Sequence, residues 1–289
     1  MTKKPIILYH ANCLDGTGSK FAAWKEFGEN GAHYVPVQYG QDIPKCVDYT
    51  TGENVYMLDF SYPREVLERL RGQHTFVKII DHHKTAEKDL TGLEDCTFDM
   101  SKSGAVLSWE YFHPGVEIPE VLLYVQDRDL WQWKMTGTKD VTAGLSLFEG
   151  DMEKWDATVK LGATGTDAAR ETGYAINQYI DAKVTSATKP ERVKLVNFMG
   201  KKLGILNSTG YSSEVCQEIY SKFPVDLAIS YFIEVDGTVV LSFRSNSIGG
   251  VGCDVSEIAK TFGGGGHKHA AGGRTDLATL QIIINGEYK

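Results

Sequence analysis

The stretch Phe76-Val77-Lys78-Ile79-Ile80-Asp81-His82-His83 determines how this chain is interpreted. Residues 76–80 are mostly apolar and are typical of a buried β-strand. A carboxylate and two imidazoles follow at once; all three can reach one divalent ion, and such an ion can reach a phosphate. Taken alone, the triplet also fits a polar turn whose histidines cap the next helix, because short motifs recur by chance.

The first half of the chain alternates short apolar strands with amphipathic helical stretches. Strands are predicted over residues 5–9, 33–37, 54–58 and 76–80, with helices that include residues 17–27 and 64–71 between them. This alternation predicts an α/β fold built on a doubly wound, mostly parallel sheet. His10 follows the first strand and Asp59 follows the third. Because ligands gather at the carboxyl ends of parallel strands, we expect these side chains and the 81–83 triplet to converge.

The first strand leads into a loop, His10-Ala11-Asn12-Cys13-Leu14-Asp15-Gly16, that can fold back on a metal ion. Gly16 would let the backbone approach an ion or a phosphate closely. Asp127 is a further candidate ligand, although alone it is better explained as a helix-end carboxylate. With Asp59 and His82, these residues form a mixed oxygen and nitrogen set, which suits Mn²⁺ and also accepts Mg²⁺, Co²⁺ or Zn²⁺. A carboxylate between two such ions forms the clamp used in phosphoester hydrolysis.

The segment Ser101-Lys102-Ser103-Gly104-Ala105 precedes an apolar-periodic helix. Its amides could bind an anion at the helix N-terminus. An ordinary helix cap explains the segment equally well.

The second half is predicted to comprise a helical linker and a smaller α/β domain. Residues 156–200 are polar and helical, with a break at 186–190, and separate a metal-binding domain over residues 1–155 from a domain over residues 201–289. In the second domain, strands are predicted at 203–206, 227–232, 239–243 and 280–284, and helices at 213–221 and 256–262.

A glycine-rich segment marks the second domain, namely Phe262-Gly263-Gly264-Gly265-Gly266-His267-Lys268-His269-Ala270-Ala271-Gly272-Gly273. Its four consecutive glycines bare their amides, as a phosphate or sugar cradle requires. Arg244 and Ser245 end the strand at 239–243, and an arginine there can fork onto a phosphate or a carboxylate. A flexible loop with a solvated arginine is the alternative; beside a metal–phosphate domain we favour the binding role.

Composition restricts the class of protein and of partner. The 289 residues are 42% hydrophobic and 24% charged, as in a soluble protein of two domains, and no apolar run approaches the ~18 residues that span a bilayer. The net charge of −8 argues against binding nucleic acid through a broad basic face. Five cysteines without CxxC spacing favour a reducing cytoplasm. We expect no membrane association, and a homodimer is one assembly that the sequence leaves open.

Together these motifs resemble the DHH phosphoesterase superfamily, in the group with a C-terminal DHHA1 domain. The resemblance covers nearly the whole chain and rests on the HxNCLDG loop at 10–16, Asp59, the 81–83 triplet, Asp127 in QDRDLW and the glycine-rich segment with Arg244 before it. It implies two α/β domains with an active cleft between them. It also implies hydrolysis of phosphodiester or phosphoanhydride bonds, usually with Mn²⁺.

The resemblance assigns a role to each motif residue. The implied metal ligands are His10, Asn12, Asp15, Asp59, His82 and Asp127, with Asp59 bridging two Mn²⁺ ions, for which Mg²⁺ or Co²⁺ are alternatives. The implied catalytic residues are Asp81, orienting the neighbouring imidazole, and His83, facing the scissile phosphate. The implied substrate-binding residues are Arg244, Ser245, Gly263, Gly264, Gly265, Gly266 and His267. Similar sequences carry aspartate where this chain has Asn12; an amide brings no charge, so we expect a weaker metal site and reduced activity.

Three hypotheses on function follow. The first is a metal-dependent phosphodiesterase whose two metals activate a water to cleave short or single-stranded oligonucleotides or small nucleotides, with Trp131 and Trp133 as candidates for base stacking. The second is an exopolyphosphatase or pyrophosphatase, whose cleft should be richer in lysine and arginine. The third is a nucleotide-binding protein that does not cut, because of Asn12.

Overall fold

The computed structural model describes residues 3–48, 51–246 and 252–289. The chain divides into two compact units, Met1–Asn177 and Gln178–Lys289. The division falls inside helix α9 (Ala163–Ala187), within the stretch for which the sequence predicts a helical connection.

The first unit is built on a five-stranded sheet in which neighbouring strands are parallel. Its strands are β1 Ile6–His10, β2 His33–Val37, β3 Asn54–Leu58, β4 Phe76–Asp81 and β5 Cys96–Phe98, in the order β2-β1-β3-β4-β5. The first four coincide with the predicted strands to within one residue. The fifth has only three half-buried residues, which is too short an apolar run to stand out in the sequence.

Helices cover both faces of this sheet, as a doubly wound fold requires. They are α1 Leu14–Phe27, α2 Lys45–Asp48, α3 Arg64–Gln73, α4 Lys84–Asp89, α5 Gly104–Phe112, α6 Glu120–Asp129, α7 Thr138–Ser146 and α8 Met152–Leu161. On one face, Ile7 and Ile80 share a buried cluster with Leu107 of α5. On the other, Met57 is buried in a cluster with Leu67 of α3. The predicted fold class is therefore confirmed for this unit.

The strand order positions the functional residues. Strand β1 pairs with β2 on one side and with β3 on the other, so the chain reverses its direction of travel across the sheet at β1. Such a switch point opens a crevice at the carboxyl ends of the strands. His10 ends β1, Asp59 follows β3 and Asp81 ends β4. The topology thus delivers all three to the same edge.

The second, smaller unit has a six-stranded mixed sheet. Its strands are β6 Lys194–Phe198, β7 Lys201–Asn207, β8 Leu227–Ile233, β9 Val239–Ser245, β10 Gly265–His267 and β11 Ala270–Thr275. The order is β10-β11-β9-β8-β7-β6; β7 and β8 are parallel, and the other pairs are antiparallel. Its helices are α10 Ser212–Lys222, α11 Val255–Lys260 and α12 Leu277–Asn285. The predicted C-terminal α/β domain is confirmed.

Two predicted segments of the second unit are wrong. Residues 194–198, predicted to belong to the helical linker, form the edge strand β6; three of its five residues are exposed, so it lacks the apolar alternation of an inner strand. Residues 280–284, predicted as a strand because of their three isoleucines, lie in α12. The Asp276 side chain caps that helix through the amide of Thr279, and Leu280 and Ile283 are its buried face.

Within the described ranges, no helix combines the length and the apolarity that spanning a bilayer requires.

Candidate metal centre

Asp59 lies at the centre of the carboxyl-end cluster and faces two ways. Its side chain is buried, and its backbone is left-handed, with φ 54°. Its Oδ1 lies 3.1 Å from Nε2 of His82, whereas its Oδ2 lies 3.4 Å from Nδ1 of His10. One carboxylate therefore presents each of its oxygens to a different group of potential ligands, an arrangement in which a residue can bridge two ions.

The first group consists of His10, Cys13 and Asp59, whose donor atoms lie close enough to hold one ion. Cys13 is the N-cap of α1, and its Sγ accepts a hydrogen bond of 3.2 Å from the amide of Gly16. The same sulfur lies 3.5 Å from His10 Nδ1 and 3.5 Å from Asp59 Oδ2. Packing explains why residue 16 is a glycine: a Cβ there would lie 1.9 Å from the carbonyl oxygen of His10. The backbone of Gly16 thus approaches the backbone of His10, whereas the sequence suggested an approach to an ion or a phosphate.

The second group consists of Asp15, Asp59 and His82, and all three are buried. His82 Nε2 lies 3.3 Å from Oδ2 of Asp15. The two oxygens of Asp15 accept hydrogen bonds of 2.6 and 2.9 Å from the amides of Gly104 and Ala105. These amides open α5, so its N-terminus fixes the Asp15 carboxylate in place.

This arrangement resolves the two interpretations left open for residues 101–105. Ser103 is the N-cap of α5, with its Oγ 3.4 Å from the amide of Val106. The amides of Gly104 and Ala105 donate to a carboxylate, but it is the side chain of Asp15 in the same chain and not a bound anion.

Asp81 positions His83. Its Oδ1 accepts a 2.7 Å bond from His83 Nδ1 and a 2.7 Å bond from the amide of His82, and its Oδ2 accepts a 2.7 Å bond from the hydroxyl of Ser61. Burial acts to raise the pKa of Asp81, but the charge of His83 and its hydrogen bond outweigh burial and lower the pKa. Asp81, Asp59 and His83 also form a third group of potential ligands. The predicted orienting role of Asp81 thus corresponds to a contact with His83.

Asp127 is not part of the cluster, in contrast to the sequence-based assignment. Its Oδ1 accepts a 2.8 Å bond from the amide of Lys134, and its Oδ2 accepts bonds from the amide of Met135 and the hydroxyl of Thr138. Asp127 therefore organises the loop after α6. Asp129, two residues on, reaches the site instead, with its Oδ2 3.5 Å from His82 Nε2.

Asn12 is also placed differently from the expectation. It is exposed and adopts a left-handed backbone with φ 59°, a conformation that asparagine tolerates better than most residues. At the start of this loop, the side chains of His10 and Cys13 lie next to Oδ2 of Asp59. The role of the amide in metal binding stays a prediction, and Cys13 was not among the ligands expected from the sequence. Cys13 directly precedes α1 and lies at the same strand end as His10. Its position as the helix cap is the signal that could have identified it as a candidate ligand.

The cluster concentrates negative charge in a buried space. Burial acts to raise the pKa of Asp59, but hydrogen bonds from His10 and His82 outweigh burial and hold that pKa well below its usual range. Burial acts to lower the pKa of His82, yet the charge of Asp129 and hydrogen bonds to Asp15 and Asp59 raise it well above its ordinary value. Burial and then the charge of Asp15 raise the pKa of Asp129 to about 7. Without a metal ion, protons on His82 and Asp129 reduce the negative charge of the clustered carboxylates. A bound cation could neutralise that charge in their place.

The residues present fit divalent cations. Oδ2 of Asp129 is buried and has no hydrogen-bond partner among the described residues, which is costly for a carboxylate unless a cation lies nearby. Carboxylate and imidazole donors of this kind suit Mn²⁺, Mg²⁺ and Co²⁺. The set could hold two ions on opposite oxygens of Asp59.

Aromatic rings lie beside the cluster. The ring of Tyr39, which is 42% exposed, lies 5.5 Å from the rings of both His10 and His83. After α6, Trp131 and Trp133 form an edge-to-face pair with centroids 4.7 Å apart. Both tryptophans have left-handed backbones, with φ 56° and 55°, which bulky residues rarely adopt without a compensating role.

In the second unit, Arg244 and Ser245 have partners within the domain. The guanidinium of Arg244 donates to the hydroxyl of Ser213 from two nitrogens, at 3.1 and 3.3 Å, and to the carbonyl of Phe243 at 2.9 Å. The hydroxyl of Ser245 donates to the carbonyl of Cys253 at 2.6 Å and lies 2.9 Å from His269 Nδ1. These contacts stabilise the end of β9. A substrate-binding role for Arg244 and Ser245 remains a prediction.

The glycine run differs from the open cradle that the sequence suggested. The amides of Gly263 and Gly264 donate to the carbonyls of Lys260 and Ala259, ending α11. Gly265, Gly266 and His267 form β10, paired with β11. A Cβ on Gly264 would lie 1.8 Å from the carbonyl oxygen of Gly272, and φ at Gly266 is 140°, so local packing itself requires these glycines. Binding of substrate by residues 263–267 remains a prediction.

Comparisons with known proteins agree with this architecture. A DHHA1 domain model matches residues 196–284. The chain is 30% identical over 287 residues to the uncharacterized protein R106 of Acanthamoeba polyphaga mimivirus, covering 92% of this chain and 66% of the viral protein. It is 23% identical over 294 residues to the oligoribonuclease NrnB of Bacillus subtilis (strain 168), covering 92% of this chain and 71% of NrnB.

Two solved structures share the fold. The pGpG-specific phosphodiesterase PggH from Vibrio cholerae superposes with a TM-score of 0.51 at 13% identity, over 99% of this chain and 100% of PggH. RecJ from Thermus thermophilus, whose crystal structure is a complex with Mn²⁺, gives a TM-score of 0.51 at 14% identity, over 98% of this chain and 51% of RecJ.

The fold and the candidate site define a class of two-domain α/β proteins. In this class, potential metal-binding side chains lie at the carboxyl ends of a parallel sheet. The chain carries a DHHA1 domain over residues 196–284, and it is similar over nearly its whole length to phosphoesterases of the DHH superfamily.

Proposed function

We propose that this protein is a metal-dependent phosphodiesterase that hydrolyses short or single-stranded oligonucleotides or small nucleotides. The observation that carries the proposal is the geometry of Asp59, whose Oδ1 faces His82 at 3.1 Å and whose Oδ2 faces His10 at 3.4 Å. A carboxylate shared in this way is what a two-metal phosphoester centre needs. We propose Mn²⁺ as the ion, with Mg²⁺ or Co²⁺ as alternatives, because the donors are mostly carboxylate and imidazole.

The ligand assignment follows the two groups. His10, Cys13 and Asp59 would hold one ion; Asp15, Asp59, His82 and Asp129 would hold the other. When bound, the two ions would polarise the phosphoryl oxygens and lower the pKa of the attacking water. Asp129 takes the place that the sequence motif suggested for Asp127.

The chain's own residues divide the remaining work. Asp15 is fixed by two amides of α5, so the second group is preorganised rather than assembled on binding. Asp81 holds the imidazole of His83 through a 2.7 Å bond to Nδ1, which fixes the orientation in which the ring would meet a phosphoryl oxygen. We propose that His83 contacts the scissile phosphate in this way, and that Arg244, with the glycine-rich segment, contributes to substrate binding.

Aromatic side chains support a nucleotide rather than an inorganic polyphosphate. Tyr39 is exposed beside His10 and His83, and Trp131 and Trp133 follow Asp129 by only a few residues. The exposed rings of Tyr39 and Trp133 can stack on a base, and a polyphosphate offers nothing to stack. The similarity to the oligoribonuclease NrnB supports the same class of substrate.

The proposal is tested by incubating the protein with Mn²⁺ and a panel of substrates. We expect mononucleotides to be released from a dinucleotide and from a labelled five-nucleotide RNA or DNA, and little phosphate to be released from polyphosphate or pyrophosphate. Asp59→Asn should abolish that activity, whereas Asp167→Asn, which removes an exposed carboxylate on α9, should leave it unchanged. Preferential release of phosphate from polyphosphate would overturn the substrate class. Tight nucleotide binding with no turnover in Mn²⁺, Mg²⁺ or Co²⁺ would replace the enzyme with a binding protein.

A further inference from the structure

Cys13 supplies an atom that is unusual for a centre of carboxylates and imidazoles. Its Sγ, His10 Nδ1 and Asp59 Oδ2 form a nearly equilateral triangle, with sides of 3.5, 3.5 and 3.4 Å. Ligands of a tetrahedral ion with bonds of about 2.0–2.3 Å are separated by about 3.5 Å. The three donors are thus already spaced to hold such an ion without rearrangement.

A capping role alone does not account for this cysteine. Serine, threonine, aspartate and asparagine are the strong N-caps, and sulfur is a weak hydrogen-bond acceptor. The amide of Gly16 nevertheless points at Sγ from 3.2 Å, at the start of the 14-residue helix α1. Burial and the charges of Asp59 and Asp15 raise the pKa of the Cys13 thiol well above its usual value, and the hydrogen bond from Gly16 offsets only part of this. A cation held by His10 and Asp59 is therefore what would stabilise the thiolate, the form that binds metals.

The other half of the centre is chemically different. There, His82 Nε2 lies 3.1 Å from Asp59 Oδ1, 3.3 Å from Asp15 Oδ2 and 3.5 Å from Asp129 Oδ2. One nitrogen among several carboxylate oxygens is a hard donor set, whereas sulfur, nitrogen and oxygen together are a softer one.

We propose that Cys13 binds, as a thiolate, the cation held by His10 and Asp59, and that this half of the centre therefore selects Co²⁺, Zn²⁺ or Fe²⁺ over Mn²⁺ and Mg²⁺. The inference rests on the proposed two-metal centre and adds to it that the two halves are unlike. Oxygen-rich ligands keep the second half suited to Mn²⁺ or Mg²⁺. The protein would then work best with two different metals.

Cobalt is the probe, because a thiolate bound to Co²⁺ gives a charge-transfer absorption in the near ultraviolet that carboxylate and imidazole ligands do not give. We expect titration of the metal-free protein with Co²⁺ to produce this band and to saturate it at one equivalent per chain, while calorimetry counts two bound ions. Cys13→Ser should lose the band and retain the ion at the other half. Cys46→Ser, which removes an exposed thiol on α2, should keep both.

A second variant tests selectivity in the opposite direction. Cys13→Asp replaces sulfur by a carboxylate, so the affinity for Mn²⁺ relative to Co²⁺ should rise by about 10-fold or more. X-ray absorption at the cobalt edge of the unmodified protein provides a measurement that does not depend on how the variants fold, because sulfur at about 2.3 Å is distinguished from nitrogen and oxygen.

The outcomes separate this inference from the proposed function. Two bound Co²⁺ ions without the band, and with no sulfur in the absorption spectrum, would overturn the role of Cys13 and leave the two-metal phosphodiesterase standing. Binding of no ion to the cluster would overturn both. An unchanged Mn²⁺ to Co²⁺ preference in Cys13→Asp would also contradict the claim of selectivity.

Discussion

Gly104 and Asp59 pack so closely that no side chain fits between them: a Cβ on Gly104 would lie 2.5 Å from the Cβ of Asp59 and 2.8 Å from its Oδ1. The same glycine donates its amide to Asp15 at 2.6 Å. The start of α5 therefore sets the positions of two carboxylates at once. The geometry of the centre depends on a residue that has no side chain.

Gly104→Ala should disable the centre without altering any candidate ligand. The added methyl group must displace the carboxylate of Asp59, so we expect affinity for Mn²⁺ to fall by about 10-fold or more, as for other residues that orient ligands. Calorimetry with Mn²⁺ measures this loss. Gly72→Ala is the matched control: Gly72 is helical, exposed and has nothing within 4 Å of a new Cβ, so stability should rise by up to ~1 kcal/mol with metal affinity unchanged. Equal metal binding by Gly104→Ala and the unmodified protein would contradict the packing argument.

Asp129 should destabilise the metal-free protein at neutral and alkaline pH. Burial raises its pKa to about 7, above the usual value of 3.8, so the folded state loses stability as pH rises from ~4 to ~7 and does not regain it above that. Metal-free Asp129→Asn should therefore melt at a higher temperature than the unmodified protein at pH 8, and the difference should shrink at pH 5. Thermal melts at the two pH values measure this.

Added Mn²⁺ should reverse the order of stability at pH 8, because only the unmodified protein retains the full set of ligands. Asp127→Asn is the comparison. It weakens bonds to the amides of Lys134 and Met135 and should cost about 1–3 kcal/mol with or without metal. If Asp127→Asn, and not Asp129→Asn, melted at a higher temperature than the unmodified protein without metal at pH 8, the assignment of these two aspartates would be reversed.

Asp81→Asn should lower turnover more than metal binding. The hydrogen bond from His83 Nδ1 to Asp81 fixes the imidazole, and loss of such an orienting carboxylate typically costs about 10–100-fold. We expect kcat to fall by that factor while the number of Mn²⁺ ions bound is unchanged. Ser61→Ala removes only the 2.7 Å bond to the other oxygen of Asp81 and should have a smaller effect. Full turnover in Asp81→Asn would show that His83 needs no orientation.

Trp133→Ala should discriminate between a nucleotide and an inorganic substrate. Stacking of a base on an aromatic ring is worth about 1–3 kcal/mol, so KM for an oligonucleotide should rise by about 5-fold or more with kcat nearly unchanged. Any residual hydrolysis of polyphosphate should not respond. Tyr174→Ala removes another exposed ring, on α9, and serves as the control. A loss of kcat without a change in KM would place Trp133 outside substrate binding.

The sequence predicted those parts of the site that strand ends determine. His10, Asp59 and Asp81 end or follow parallel strands, and the topology alone brings them to one edge. Loop and helix positions were harder, because a rotation of one residue redirects a side chain. Cys13, not Asn12, faces Asp59, since Asn12 occupies a left-handed turn and is exposed to solvent.

The same limit explains the difference between prediction and structure at the end of α6. Asp127 and Asp129 are two residues apart on a helix, where such neighbours face different directions. Asp127 accepts hydrogen bonds from amides of the following loop, and only Asp129 reaches His82. The sequence holds both carboxylates, and the fold of the loop after the helix decides between them.

Anomalous scattering from crystals soaked in Co²⁺, an ion that suits both halves of the centre, is the decisive measurement of whether Asp59 bridges two cations. We expect two peaks about 3.5–4 Å apart, each bound to a different oxygen of Asp59, one beside His10 and the other beside His82. A single peak, peaks remote from Asp59, or two ions on the same oxygen would show that Asp59 does not join a pair of cations in this way.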